Sequence, residues 1–239
     1  MSHAAQLYVW LVLPYVALAL FVGGHVWRYR RDQLGWTSRS TQLLESRLLA
    51  WGSNLFHWGA IAVILGHVLG ILVPKSVTEA LGISESAYHH LAGIAGGISG
   101  LVCLAGLAIL VYRRASVPRV RVTTTNTDIA VYVLLAAMIV LGEVEVLAYN
   151  VFGSGYDYRE TVAPWFRSLF HDPQPELMTD APVVYQLHAA VAWLLFALWP
   201  FSRLVHAWSI PFQYLGRPYV LYRRRYAVPA RADREEPAR

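Results

Sequence analysis

Leu48 to Val73 reads LLAWGSNLFHWGAIAVILGHVLGILV, 26 residues with two histidines and no Asp, Glu, Lys or Arg. A bilayer core is about 30 Å thick and a helix rises about 1.5 Å per residue, so some 20 apolar residues suffice to cross it. Working outward by the same criterion gives spans at about 7–27, 48–73, 86–112, 129–152 and 181–208, the fourth interrupted by Glu143 and Glu145. The charge-free part of that fourth span, Ile129 to Gly142, covers only about 21 Å, so it crosses only by carrying both glutamates. The expected fold is an all-α membrane protein, five transmembrane helices in a bundle. Residues 1–227 form one membrane domain, and the tail VPARADREEPAR, 228–239, is expected to be disordered. With 56% apolar and 15% charged residues in 239, a disordered, collagen-like or small disulfide-stapled chain is excluded.

Loop charge sets the expected orientation, because Lys and Arg are retained on the cytoplasmic side. The segments after spans one, three and five carry Arg28, Arg30, Arg31, Arg39 and Arg47, then Arg113, Arg114, Arg119 and Arg121, then Arg203, Arg217 and Arg223 to Arg225. The other side holds only Lys75, Arg159 and Arg167. The N-terminus is therefore expected outside and the C-terminus in the cytoplasm. The net charge of +5 is then topological, with no nucleic acid as partner, although such loops also suit anionic membrane lipid. Met1 to Gln6 lacks basic residues and no small-residue cleavage site follows the first run, so that run is expected to stay as a span.

The longest connection, Asn150 to Asp180, contains Trp165, Phe166 and Phe170 between turn-forming clusters. It is expected to include an amphipathic segment lying on the outer membrane surface. Glu143 and Glu145 stand two apart on a helix, some 200° around the axis, and are not expected both to face the interior. Either one accepts a proton, or the helix end has risen into the head groups, the second being favoured.

Four of the nine histidines lie within spans: His57 and His67 on the second, His188 and His206 on the fifth. Ligating side chains are costly inside a membrane, so they are functional candidates, although a single such His can simply make an interhelical hydrogen bond. The two spans run antiparallel, and depth pairs His57 with His206 near the cytoplasm and His67 with His188 toward the outside. Facing imidazoles at two depths suit two b-type haems, each iron carrying two axial histidines. The separations along the helix axes, about 15 Å and about 27 Å, do not match. Helix tilt, a bend at Pro200 or a His206 beyond the membrane edge is needed to reconcile them. Gly59, Gly66 and Gly70, with Gly93, Gly96, Gly97, Gly100 and Gly106, leave room either for a flat cofactor or for close helix packing. The lone Cys103 excludes a disulfide within the chain, a Cys-ligated cluster and a CxxCH-attached haem. Arg113 and Arg203 stand where haem propionates would be met, and serve equally as positive-inside anchors.

Four stretches, SNLFHWGAIAVILGHVLG (53–70), AGGISGLVCLAGLAIL (95–110), PRVRVTTTNTDI (118–129) and QLHAAVAWLLFALWPFSRLVHAWSIPFQYL (186–215), resemble the cytochrome b (gamma) subunit of membrane-bound respiratory nitrate reductase. The resemblance covers nearly the whole chain. It implies axial ligands at His57 and His206 for an inner haem b and at His67 and His188 for an outer one. It further implies quinol oxidation near the outer haem during anaerobic respiration. Electrons would pass to an iron–sulfur subunit and a molybdenum catalytic subunit that reduces nitrate in the cytoplasm. KSVTEALGISESAYHH (75–90) follows no family pattern, so the quinol contacts expected at Tyr88, His89 and Gly70 compete with an aromatic-belt reading. Two alternatives stay open: a related two-haem subunit of a sulfite-reduction or heterodisulfide complex, and a haem-free transporter.

Overall fold

The computed structural model describes residues 3–32, 34–153 and 155–208, and these are all helix, turn and loop. Among the described residues five helices are long and apolar enough to cross a membrane: α1 (Ala4–Arg31), α2 (Arg47–Leu72), α3 (Glu85–Ser116), α4 (Asn126–Val151) and α5 (Val183–Phe201). The expected tail lies outside the described residues.

Local chemistry sets the helix ends. The Glu45 carboxylate accepts hydrogen bonds from the Leu48 and Leu49 amides at the start of α2. The Ser84 hydroxyl accepts from Ala87 N at the start of α3. Thr125 and Asp128 form a reciprocal capping box on α4. α2 stops where Val73 is forced extended before Pro74, and α3 stops where Val117 is extended before Pro118. Within α1, a π-helical turn over Tyr8–Val12 precedes Pro14, which lacks the amide a regular helix needs.

α2 packs on α3, α3 on α4, α4 on α5, and α5 on α1. The α2–α3 contact is the most extensive, and glycines make it possible. A Cβ at Gly106 would collide with the Phe56 backbone, and one at Gly59 would stand 2.5 Å from Cys103 N. Between the two offered roles for these small residues, Gly52, Gly59 and Gly106 serve helix packing, which in lipid depends on such close approach. Gly66 has no neighbour at its Cβ position.

The connection after α4 departs from the surface segment expected. Its helix Val162–Ser168 is tucked inward: Trp165 is 1% exposed, donates Nε1–H to the Trp10 carbonyl at 3.0 Å and meets the Trp10 ring edge-on. Phe166 stacks on Trp193, and only Phe170 stays outside. The segment behaves as a plug because its two largest side chains find an apolar cleft between α1 and α5.

α4 runs 26 residues and so spans with its glutamates inside. Both face the packed interior, contrary to the expectation. α4 is sandwiched between α3 and α5, so opposite faces of the helix are both interior. Glu143 fits the notch left by Gly100 on α3, and Glu145 faces His188 on α5.

Candidate functional site

The four span histidines meet as two pairs across α2 and the fifth span. The His67 and His188 rings have centroids 5.9 Å apart and are nearly parallel, at 28°. The His57 and His206 centroids are 5.8 Å apart with the planes crossed at 73°. A metal–imidazole bond is roughly 2.0–2.1 Å, so rings on opposite sides of one metal stand about 6 Å apart between centroids. Each pair has that separation, and the donor set, imidazole only, is one that haem iron takes axially. The residues therefore fit the group.

His57, His67 and His206 each donate Nδ1–H to a main-chain carbonyl three or four residues back: Ser53 at 2.7 Å, Val63 at 2.8 Å and Arg203 at 2.6 Å. This fixes the tautomer that leaves Nε2 for a ligand. His25 and His90 make the same bond to Phe21 and Ser86, so the tether alone marks no site. Facing a second imidazole is what distinguishes the two pairs.

Unequal separations are reconciled by a helix break. α5 ends at Phe201, Ser202 is extended, and a 3₁₀ segment Arg203–Trp208 carries His206 beside His57. Three arginines hold this end together. Buried Arg28 donates from Nη1 to the Pro200 and Ser202 carbonyls, both at 2.7 Å, and from Nη2 to Gly35 O. These bonds occupy carbonyls that the broken helix leaves open. Gly24 lets Pro200 approach, since a Cβ there would stand 2.8 Å from the proline ring. Arg203 forms a bidentate pair with Asp128, both contacts 2.7 Å, and also reaches Ser38 O. Arg113 is 2% exposed, pairs with Glu45 at 2.6 Å and donates to Thr41. Both expected propionate contacts thus have their guanidinium groups committed to protein acceptors in an arginine lattice. Burial works against the Glu45 carboxylate, but amide hydrogen bonds and Arg113 hold it below the ordinary range.

The opposite end is rich in tyrosine. One turn beyond His67, buried Gly70 leaves room for the Tyr158 and Tyr88 hydroxyls, which hydrogen-bond to each other at 2.9 Å. The structure thus joins Gly70 and Tyr88 to a residue that the sequence reading had not singled out. The signal was present in the YDYRE run at 156–160, two tyrosines interleaved with charges in the connection that follows the fourth span. Burial, with the bond to Tyr88, pushes the Tyr158 phenol well above its ordinary value. Arg159 lies over the Tyr88 ring, 4.0 Å from its centroid. His89 instead joins Glu85 and Asp157, ligating atoms all within 4.8 Å of one another. The Lys75 ammonium already serves as that cluster's cation, 3.0 Å from Asp157, 3.6 Å from Glu85 and 2.7 Å from Glu160.

Five membrane-spanning helices that bring four histidines together as two facing imidazole pairs define the class: a polytopic membrane protein with paired histidines between its spans. The nitrate reductase gamma subunit model matches residues 6–225, and the chain belongs to that family. It is 46% identical over 218 residues to the nitrate reductase gamma chain of Bacillus subtilis, covering 91% of this chain and 97% of that one. It is 36% identical to the respiratory nitrate reductase 1 gamma chain of Escherichia coli, covering 90% and 96%. A nitrate reductase-like protein of Mycobacterium tuberculosis, NarX, is 49% identical over 218 residues. There the match takes in 90% of this chain, which spans about a third of that longer relative. The chain is thus a membrane-anchored member of a nitrate reductase subunit family.

Proposed function

We propose that the chain is the di-haem, quinol-oxidising membrane subunit of a respiratory nitrate reductase. Its arginine-rich end would face the cytoplasm and its tyrosine-rich end the outside. The observation that carries this reading is the pair of facing imidazoles at each of two levels, on helices of a family whose members include gamma chains of nitrate reductase.

His67 and His188 hold the outer haem b, and His57 and His206 the inner one. Haem held by these histidines would supply one-electron relay chemistry. The chain's own work is to space, orient and bury the two centres. α2 fixes the distance between levels, at about 15 Å along its axis from His57 to His67. Gly70, Tyr88 and Tyr158 form the proposed contact for the quinol head group beside His67, with His89 near it. Both phenols can donate to or accept from a quinol oxygen. Protons released there stay outside while electrons travel inward, a separation worth about 2.3 kcal/mol per charge per 100 mV. The arginine lattice faces the partner side, where an iron–sulfur subunit would accept electrons and pass them to a molybdenum subunit reducing nitrate.

The test is a set of ligand substitutions in the assembled complex. His67→Ala or His188→Ala removes the outer haem and abolishes quinol oxidation, while artificial soluble donors still drive nitrate reduction. His57→Ala or His206→Ala leaves the outer haem reducible by quinol but stalls onward transfer. Full quinol-driven nitrate reduction in His67→Ala would overturn the proposal.

A further inference from the structure

His188 differs from the other three candidate ligands in what steadies its Nδ1. The others donate to main-chain carbonyls of their own segment. His188 Nδ1 instead faces Oε1 of Glu145 on α4, 3.5 Å away. Neither atom has a hydrogen-bond partner among the described residues, and both side chains are largely buried, at 16% and 14% exposure. A buried carboxylate without a donor is costly, more so in a membrane, and the donor within reach of this oxygen is the imidazole N–H.

Two features of α4 bring the groups together. Gly142, three residues before Glu145 and on the same face, borders the ring: a Cβ there would stand 3.0 Å from His188 Cε1. Glu145 opens a π-helical stretch, Glu145–Val151, a widening of the helix that alters side-chain register and is frequent at functional sites. Glu143, two residues earlier, points to Gly100 on α3 and takes no part.

Building on the haem reading above, we propose that Glu145 is the positioning residue of the His67–His188 centre. Its carboxylate accepts the Nδ1–H of His188, which fixes the tautomer and ring plane that offer Nε2 to the iron. When ionised, that acceptor also makes the imidazole a more basic ligand than a carbonyl acceptor would. A more basic ligand favours oxidised iron, so this haem is held at a lower potential than its axial histidines alone would set. At the inner centre, His57 and His206 are steadied by carbonyls of their own segments.

The experiment is a redox titration of the assembled complex carrying Glu145→Gln, with haem counted per chain and each potential resolved. Gln keeps the shape and an acceptor oxygen but removes the charge. The expected result is two haems per chain and an unchanged inner potential. Reduction of the outer haem becomes easier by about tenfold, which is 59 mV for a one-electron couple. Glu145→Leu shifts it further in the same direction, and Glu143→Gln leaves both potentials in place. An unaltered outer potential in Glu145→Gln, with both haems present, overturns the role of Glu145 and leaves the haem reading standing. A wild-type complex without haem overturns the haem reading itself.

Discussion

The two ends of the bundle hold the same chemical motif, a pair of facing imidazoles, by opposite means. At the tyrosine-rich end both histidines sit on continuous helix, their planes near parallel, with a carboxylate behind one of them. At the arginine-rich end one histidine has left its helix and rides on a 3₁₀ turn tied down by Arg28 and by the Arg203–Asp128 pair. One pair is placed by helix packing, the other by hydrogen bonds to a broken helix. The two ends should therefore fail independently.

The largest expected effect is from Arg28→Ala. It strips charged donors from two buried carbonyls, each such hydrogen bond contributing about 1.5–3 kcal/mol. Haem content should fall from two to one per chain, the loss confined to the His57–His206 pair. Arg28→Lys should not rescue it, since an ammonium cannot reproduce the fork. Equal loss of both haems would break the idea of independent ends.

Gly142→Ala probes the other end. Its new methyl presses on His188, at a cost of about 1–3 kcal/mol typical of overpacking. Optical and potentiometric changes should appear in the outer haem alone.

A smaller effect is expected at Lys75, whose partly exposed ion pairs contribute about 1 kcal/mol or less. The hydrogen bonds it donates to Glu160 and Asp157 raise its ammonium above the ordinary value. Burial alone would raise the Asp157 carboxyl, but the hydrogen bond from Lys75, with that from the Arg159 amide and the nearby positive charge, holds it low. The Asp157 contribution is therefore present above its unfolded value, near 3.9, and is lost as pH falls through the lower folded one. That of Lys75 is present below its unfolded value, near 10.4, and is lost only as pH rises through the higher folded one. Protection of the 156–161 amides, measured against their intrinsic exchange rate at each pH, should be high at neutral pH and fall in acid below about pH 4. Lys75→Gln should show faster exchange already at neutrality.

The smallest difference is spectroscopic. Near-parallel and crossed imidazole planes split the iron d orbitals differently, so the two oxidised haems should give distinct low-spin electron paramagnetic resonance signals.

Much of this was legible in the sequence. The five spans fall within a few residues of the apolar runs, and α5 stops at Phe201, next to the Pro200 bend that the unequal histidine separations called for as one option. Hydropathy sees no difference between a helix and a 3₁₀ turn of the same composition. Antiparallel depth was enough to match the rings that lie together, because a membrane fixes position along one axis. Contacts around that axis stayed hidden. Arg28, Arg113 and Arg203 read as topological anchors, and nothing local shows that their partners lie far away in the chain. Glu143 and Glu145 were misjudged because which faces of α4 are interior depends on its having neighbours on both sides. Trp165 was misplaced because amphipathicity does not distinguish a lipid surface from a protein cleft.

The central claim is that this chain carries two haems at two levels. A quinol-reduced minus oxidised optical spectrum of the purified complex, with haem quantified per chain, tests it most directly. Two b-type haems per chain, both reduced by quinol, are predicted. An absence of haem, or a single haem per chain, would contradict the account.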